Sequence, residues 1–213
     1  MKNNFYKTKG FWISVAVCVL PVVLGAFLYN SLPDNIATNF DMNFKPNDYS
    51  PKWQAVFMIP AFMLLMDVFV WFILDADPKR AAINSKIKSL SRWIIPVLSC
   101  FAQSAIILYA KDESINLVRF LPLLIGVVII VIGNYLPKCK QNYTTGIKLP
   151  WTLASEENWN RTHRLAGKLF IIAGFVMALF TILNIPSYIP FSILIIAAIV
   201  PAIYSYLLYR KNI

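Results

Sequence analysis

The sequence predicts an all-α membrane protein: a six-transmembrane-helix bundle with both termini in the cytoplasm and amphipathic helical segments on the cytoplasmic side. Three observations support this prediction. Hydrophobic residues make up 58% of the 213 residues, the mean hydropathy is +0.61, and only 14% are charged. That charged fraction is about half the level of soluble domains. Six apolar runs are long enough to cross a bilayer, and Lys and Arg are distributed unevenly between the segments that join them.

The six runs follow one another along most of the chain. The first comes after three lysines but is not closed by a small-x-small cleavage site, so it predicts a retained helix rather than a removable signal peptide. The predicted helices cover approximately residues 11–29, 54–74, 93–109, 118–136, 165–183 and 189–209.

Lys and Arg predict the orientation, because they resist translocation and stay on the cytoplasmic side. The N-terminus, residues 75–92, residues 137–168 and the C-terminal tail carry 16 of them, against 4 in or directly beside the three other loops. The 31–53, 110–118 and 184–188 loops are therefore predicted to lie outside. The net charge of +10 is then mostly an inner-leaflet effect, and direct binding to nucleic acid is not expected.

We expect a single integral membrane domain over residues 1–213, in two parts. Residues 11–74 predict a helical hairpin with an outer loop at 31–53. Residues 93–209 predict a four-helix part with a cytoplasmic loop at 137–164, here called the signature loop. Between these parts, Asp77-Pro78 is typical of a helix start. Apolar residues at helical spacing over 83–94 then predict a basic amphipathic helix on the anionic inner leaflet.

Asp67 is an acidic residue within the second predicted helix. An ionisable group at that depth is costly unless it is paired, hydrated or protonated, so it is a functional candidate by default. The competing interpretation, which we favour, is a protonated Asp that joins neighbouring helices. Glycines spaced by seven, Gly126 with Gly133 and Gly167 with Gly174, predict close helix packing.

The outer loop carries three acids, Asp34, Asp41 and Asp48. Its Pro and Asn-Asp steps predict an ordered set of turns rather than a strand or helix. Three carboxylates could bind a cation, but their spacing of seven does not match a calcium loop, whose ligands are two apart. A solvated cap is the favoured interpretation.

The signature loop carries an unusual density of polar and aromatic residues for a connector. Ser155, followed by two Glu, predicts a helix N-cap. Glu157, Arg161 and Arg164 then fall on one face. Three interpretations stay open: Trp151 and Trp159 lie at the membrane interface with the cations on lipid phosphate, the loop binds a partner protein, or it is catalytic. The candidate binding residues are Asn134, Asn142, Gly146, Lys148, Trp151, Thr152, Glu157, Trp159, Arg161, Thr162, His163 and Arg164.

Metal, cofactor and enzyme chemistry are not expected. Cys18, Cys100 and Cys139 have neither disulfide nor metal-ligand spacing, and His163 is the only histidine, which disfavours a His-based zinc site. The hydroxyls near His163 form no recognisable nucleophile motif. We therefore predict no catalytic residue, no metal and no cofactor.

The signature loop resembles a known family. The stretch IGNYLPKCKQNYTTGIKLPWTLASEENWNRTHRLAGK is similar to the signature of the SdpI family of bacterial multi-pass membrane proteins, and LPDNIATNFDMNFKPNDYSPKW resembles the DUF1648 module that precedes it. The outer loop departs from that pattern, with Ala37, Asn39 and Phe44 at the usual Pro, His and Gly positions. In the stretch from Ile132 to Lys168, the residues that match the SdpI pattern are Gly133-Asn134, Pro137, Asn142, Gly146-Ile147, Pro150-Trp151-Thr152, Glu157, Trp159, Thr162-His163 and Gly167.

The resemblance implies a bacterial cell-membrane protein that gives immunity to a secreted antimicrobial peptide toxin. It also implies a signalling role in which the protein holds a cytoplasmic transcriptional repressor at the membrane. The expected partners are thus the lipid bilayer, a toxin on the outer side and a repressor on the inner side. The alternative from another class is a small proton- or ion-coupled transporter that uses Asp67.

The charge distribution makes a testable prediction of topology. Cysteines placed at Asn43 and Ser114 should react in whole cells with a reagent that does not cross the membrane, whereas native Cys139 should not. Labelling of Cys139 from outside would reverse the predicted orientation.

Overall fold

The computed structural model describes residues 4–79, 83–115, 117–186 and 188–212. Six helices in these residues are long and apolar enough to cross a membrane. Their helical cores are α1 Lys9–Leu28, α2 Ile59–Ala76, α3 Ser85–Lys111, α4 Leu121–Tyr135, α6 Glu156–Ile182 and α7 Tyr188–Arg210, with a short α5 at Pro150–Ala154. The predicted helical membrane fold is confirmed. The orientation stays a prediction.

The chain divides into two compact units. Unit 1 comprises Met1–Asp75 with Arg92–Leu121, and unit 2 comprises Ala76–Ser91 with Pro122–Ile213. Unit 1 thus holds α1, α2 and most of α3, whereas unit 2 holds α4 to α7 and the signature loop.

Unit 1 carries a β-hairpin where the sequence predicted only turns. Strand β1, Asn35–Phe40, pairs antiparallel with β2, Pro46–Pro51. Ile36 is buried against Val56 and Ile107 in the apolar cluster that also contains Leu32 and Ala55. The strand was not predicted because the Pro and Asn-Asp steps of the loop favour turns. The burial of a strand side chain against the helices is a tertiary effect that such local residues do not indicate.

A side chain builds the tip of the hairpin. Asp41 Oδ1 accepts the backbone N–H groups of Asn43 at 2.8 Å and Lys45 at 2.9 Å. These backbone hydrogen bonds hold the pKa of Asp41 below its ordinary value. Phe44, which stands where the DUF1648-like pattern usually has Gly, has φ 59°, a conformation that glycine adopts more readily.

The three acids of the outer loop are engaged separately. Asp34 forms an ion pair with Lys52 at 3.0 Å, Asp48 accepts a hydrogen bond from Asn39, and Asp41 holds the turn. The described residues contain no group of three or more His, Cys, Asp or Glu side chains that could hold a metal ion. The geometry supports the solvated cap over the cation site.

The amphipathic segment after α2 begins later than predicted. Pro78 and Lys79 form a turn, and α3 begins at Ser85, while residues 80–82 lie outside the described part. Ile83 and Ile87 are each 6% exposed. The apolar face of this segment therefore packs on protein rather than on lipid alone.

In unit 2, the spaced glycines bring α4 and α6 together as predicted. A Cβ at Gly126 would lie 2.8 Å from the carbonyl oxygen of Gly174, and one at Gly133 would lie 2.8 Å from that of Gly167. The two backbones approach so closely because neither helix has a side chain at these points. This contact places the start of α6 beside the end of α4, where the signature loop begins.

Candidate functional site

The signature loop is an ordered structure of short elements. A 3-10 turn at Leu136–Lys138 ends α4, irregular backbone follows to Leu149, and α5 leads to Ser155. The Ser155 hydroxyl accepts the backbone N–H of Asn158 at 3.2 Å, and two glutamates occupy the first turn of α6. The predicted N-cap is confirmed.

Asn142 organises the irregular segment from within and is fully buried. Its Oδ1 accepts the backbone N–H groups of Thr144 at 2.9 Å and Thr145 at 2.6 Å. Its Nδ2 donates to the Lys140 carbonyl at 2.8 Å. One amide thus replaces the hydrogen bonds that a helix or sheet would give this backbone.

His163 and Trp159 attach this segment to α6. His163 Nε2 accepts the Ile147 backbone N–H at 3.0 Å, and Nδ1 lies 2.8 Å from the Trp159 carbonyl oxygen. The imidazole is therefore neutral, with its proton on Nδ1. The Trp159 ring stacks on it at 4.1 Å between centroids and donates to the Cys139 carbonyl at 2.7 Å.

Gly146 is required where the loop passes over this pair. Its φ is +103°, and a Cβ there would collide with His163 Nε2 and lie 3.1 Å from the Trp159 ring. Only a residue without a side chain fits this backbone and this approach. The glycine in the motif is thus explained by local geometry.

Thr152 fixes the start of α5. Its hydroxyl accepts the Leu149 N–H at 2.9 Å and lies 2.9 Å from the Ile147 carbonyl oxygen, to which it can donate. Because His163 accepts the N–H of the same Ile147, both polar groups of that residue are satisfied by buried side chains.

Ser205 of α7 joins the loop to the last helix. Trp151 Nε1 donates to the Ser205 hydroxyl at 2.6 Å, and Asn158 Nδ2 donates to its carbonyl at 2.9 Å. Thr162 in turn donates to Asn158 Oδ1 at 3.2 Å. The Trp151 ring also stacks on Tyr209, at 6.1 Å between centroids.

Two residues of this network were missed by sequence reasoning. Asp77 Oδ1 accepts the Lys79 backbone N–H at 2.7 Å, as an N-cap would, although α3 begins only at Ser85. Its Oδ2 accepts the Tyr143 backbone N–H at 3.1 Å and the Thr144 hydroxyl, which the sequence did not predict. Gln141 accepts from Lys79 Nζ at 3.0 Å and donates to the carbonyls of Thr152 and Leu153. The partners are more than 60 residues away for Asp77 and Lys79, so no local pattern reveals them.

The interface prediction for Trp159 is wrong. Its relative exposure is 0%, because the loop folds over the indole and the Cys139 carbonyl satisfies its N–H. Trp159 therefore cannot reach lipid, nor can it serve as an aromatic contact for a partner protein.

Cys139 lies beside the same cluster and is a poor reporter of topology, since it is 4% exposed. Burial raises the pKa of its thiol, which makes it less nucleophilic. Lys148→Cys, at an exposed position of the loop, is the better site for the labelling experiment.

The exposed side of the loop is charged. Glu157 and Arg161 form an ion pair one helical turn apart, as the spacing predicts. Arg161, Arg164 and Lys168 line a cavity of about 300 Å³ together with Leu165 and Tyr204. Lys148 donates to the Thr144 carbonyl at 3.0 Å and is otherwise exposed, and Asn134 is exposed at the end of α4.

The candidate residues thus fall into two groups in unit 2. Those that build the loop are Asn142, Gly146, Trp151, Thr152, Trp159, Thr162 and His163. Those that present charge or polarity to solvent are Asn134, Lys148, Glu157, Arg161 and Arg164. Asp67 and the three outer acids belong to unit 1.

Comparison with known proteins agrees with the motifs. Residues 138–205 match the model of the SdpI/YfhL protein family, and residues 16–64 match DUF1648, a domain of unknown function. The resemblance to the SdpI family is confirmed. The chain is also 25% identical over 201 residues to Immunity protein SdpI of Bacillus subtilis (strain 168), covering 93% of this chain and 95% of that protein. No solved structure matches.

The SdpI-like segment, residues 138–205, coincides with the hydrogen-bonded network. It begins one residue before Cys139, whose carbonyl receives the Trp159 N–H, and ends at Ser205, which receives Trp151 and Asn158. The six helices and the SdpI resemblance make this a multi-pass protein of the bacterial cell membrane.

Replacement of Asn142 tests the architecture of the loop. Asn142→Leu removes the acceptor of two backbone N–H groups and the donor to one carbonyl, and each buried group left unbonded costs about 1–3 kcal/mol. We expect a lower melting temperature in detergent, by roughly 2–4 °C for each kcal/mol lost. The matched control is the exposed Asn134→Leu, which should melt as the wild type does. Equal melting of the two variants would contradict the role given to Asn142.

Proposed function

We propose that this chain is a membrane immunity protein that protects a bacterium against a secreted antimicrobial peptide toxin. The supporting observation is the match to Immunity protein SdpI, which runs over nearly the whole length of both chains. A relationship of that extent includes the outer hairpin, the six helices and the signature loop, rather than one shared segment.

The outer hairpin offers a surface suited to a membrane-active peptide. Met42 and Tyr49 are 54% and 57% exposed there and are next to Asp41 and Asp48 in the sequence. Exposed apolar and aromatic side chains beside carboxylates fit a cationic amphipathic peptide. In the predicted orientation this hairpin is the first folded part that a toxin from outside would meet.

The geometry of His163 supports a function without catalysis. Both ring nitrogens are occupied by backbone groups, at 3.0 and 2.8 Å, and the side chain is 1% exposed. A general base needs a free nitrogen within reach of a substrate proton. The names of the matched family and relative do not include a catalytic activity either.

Survival in toxin tests the immunity proposal. The chain should be expressed in a sensitive host and challenged with a panel of secreted membrane-active peptide toxins, with membrane abundance measured in parallel. We expect the wild type to raise survival against at least one member of the panel. His163→Gln should keep a substantial part of that protection once corrected for abundance, because a structural imidazole can be partly replaced by an amide.

The informative control is Lys148→Ala, at an exposed site away from the buried network. Absence of protection at normal abundance against every toxin would contradict immunity. Complete loss in His163→Gln at normal abundance would instead support catalysis.

Signalling is the finer part of the proposal. We assign signalling to the exposed charged face of Glu157, Arg161 and Arg164. Trp151 and Trp159 are not part of this face, because their indole N–H groups are bonded within the fold. Arginine presents a planar fork of donors that suits carboxylates on a partner protein. In the predicted orientation this face is open to a cytoplasmic repressor.

Loss of the two arginines should separate signalling from immunity. Arg161→Ala with Arg164→Ala should abolish partitioning of a co-expressed repressor to the membrane fraction while survival in toxin persists. Lys148→Ala removes a cation from the same loop and should leave partitioning unchanged. Parallel loss of survival and partitioning would mean that the face serves immunity or the fold itself.

A further inference from the structure

Unit 1 contains polar atoms that are buried without a partner. Among the described residues, four buried side-chain nitrogen and oxygen atoms lack a hydrogen bond: Asp67 Oδ1, Arg92 Nε, Ser99 Oγ and Gln103 Oε1. All four belong to unit 1, and their residues lie in helices long and apolar enough to cross a membrane. Orphaned atoms of this kind mark strain, function, or a position for water or an ion.

Asp67, Ser99 and Gln103 lie at a similar depth along their helices. Arg92 Nη2 bonds Asp75 Oδ1 at 2.9 Å, which fixes the level of α3 against α2. Asp67 precedes Asp75 by eight residues and therefore lies about 12 Å from it along the axis of α2. Ser99 and Gln103 follow Arg92 in α3 and lie about 10 Å and 16 Å from it along the axis of that helix. Since α3 runs back along the direction of α2, these side chains are within about one helical turn of each other in depth.

The three polar side chains of α3 also lie on one side of that helix. Arg92, Ser99 and Gln103 are spaced by seven and four, which places them on one side of α3. At Arg92 this side approaches α2, since the guanidinium lies 3.8 Å from the centre of the Trp71 ring. Cys18 of α1 has Asp67 and Cys100 as its electrostatic neighbours, which agrees with the depth obtained from the ion pair.

The hydrogen bonds of Ser14 indicate the state of Asp67. Ser14 Oγ lies 2.8 Å from the Phe11 carbonyl oxygen, 3.0 Å from Trp71 Nε1 and 2.8 Å from Asp67 Oδ2. A hydroxyl has one proton to donate and can accept two hydrogen bonds. The Trp71 N–H donates to Ser14, and Ser14 can give its one proton either to the Phe11 carbonyl or to Oδ2. A proton on Oδ2 lets all three contacts form at once, because Oδ2 then donates to Ser14 while Ser14 donates to Phe11.

We propose that Asp67 is an internal proton-binding site and that water bridges its Oδ1 to Ser99 and Gln103. The proton sits on Oδ2, and the free carbonyl oxygen accepts from the water. The site is independent of the immunity proposal.

The surroundings of the site are mostly uncharged. Ser14 and Cys18 face Asp67 from α1, and Trp71 lies one turn along α2. Cys100 lies at the same level on α3. The Asp75–Arg92 ion pair at the end of α2 is charged and lies about two helical turns from Asp67.

Infrared difference spectroscopy of the protein in lipid nanodiscs tests the proposal. A protonated carboxylic acid has a carbonyl-stretch band that a carboxylate lacks. We expect such a band at neutral pH, a small shift of it in D₂O, and its loss in Asp67→Asn. Ser99→Ala and Gln103→Leu should each shift the band to higher frequency, because the water that bonds Oδ1 loses an anchor. The control, exposed Asp112→Asn, should leave it unchanged.

Each contrary result has a definite meaning. A spectrum with no Asp67-dependent band from mildly acid to alkaline pH would overturn the proton site. If the frequency of the band is the same in Ser99→Ala and in Gln103→Leu as in the wild type, the water bridge is overturned. Disappearance of the band on adding Na⁺ at fixed pH would make an alkali cation the occupant instead. If Asp67→Asn fails to fold, Asp67→Glu assigns the band by shifting it.

Discussion

The path of the signature loop depends on a neutral imidazole that joins irregular backbone to a helix. His163 accepts the Ile147 N–H and lies 2.8 Å from the Trp159 carbonyl oxygen. Backbone that leaves a helix must find other hydrogen-bond partners when it is buried. Because α6 supplies one of them here, the path of the loop, the position of Gly146 and the burial of Trp159 all follow from the same contact.

This arrangement gives the SdpI-like motif a physical explanation. Most motif residues in the loop bond backbone or fill space, so their pattern records a fold and not a row of ligand contacts. Glu157, Arg161 and Arg164 point to solvent instead. A partner protein would therefore meet a charged face supported by a rigid interior, which is the usual relation between a binding surface and its scaffold.

The two units treat buried polar groups differently. In unit 2, Asn142, Thr152 and His163 bond to backbone atoms of the loop, and the groups are satisfied within the protein. In unit 1, Asp67 has one oxygen bonded to Ser14 and the other without a protein partner. The first pattern favours a rigid loop, while the second is the basis of the proposed proton and water site.

The sequence by itself determined the six helices, the Ser155 cap and the glycine pairs, since these depend on apolar length and on residues within a few positions of each other. The same local logic misplaced the helix start at Asp77 and missed the outer hairpin. Only tertiary structure decided that Asp77 bonds Tyr143, that Trp151 bonds Ser205, and that Ile36 is buried. Those partners are far apart in sequence, and the energy of burying and bonding them exists only after the helices have packed.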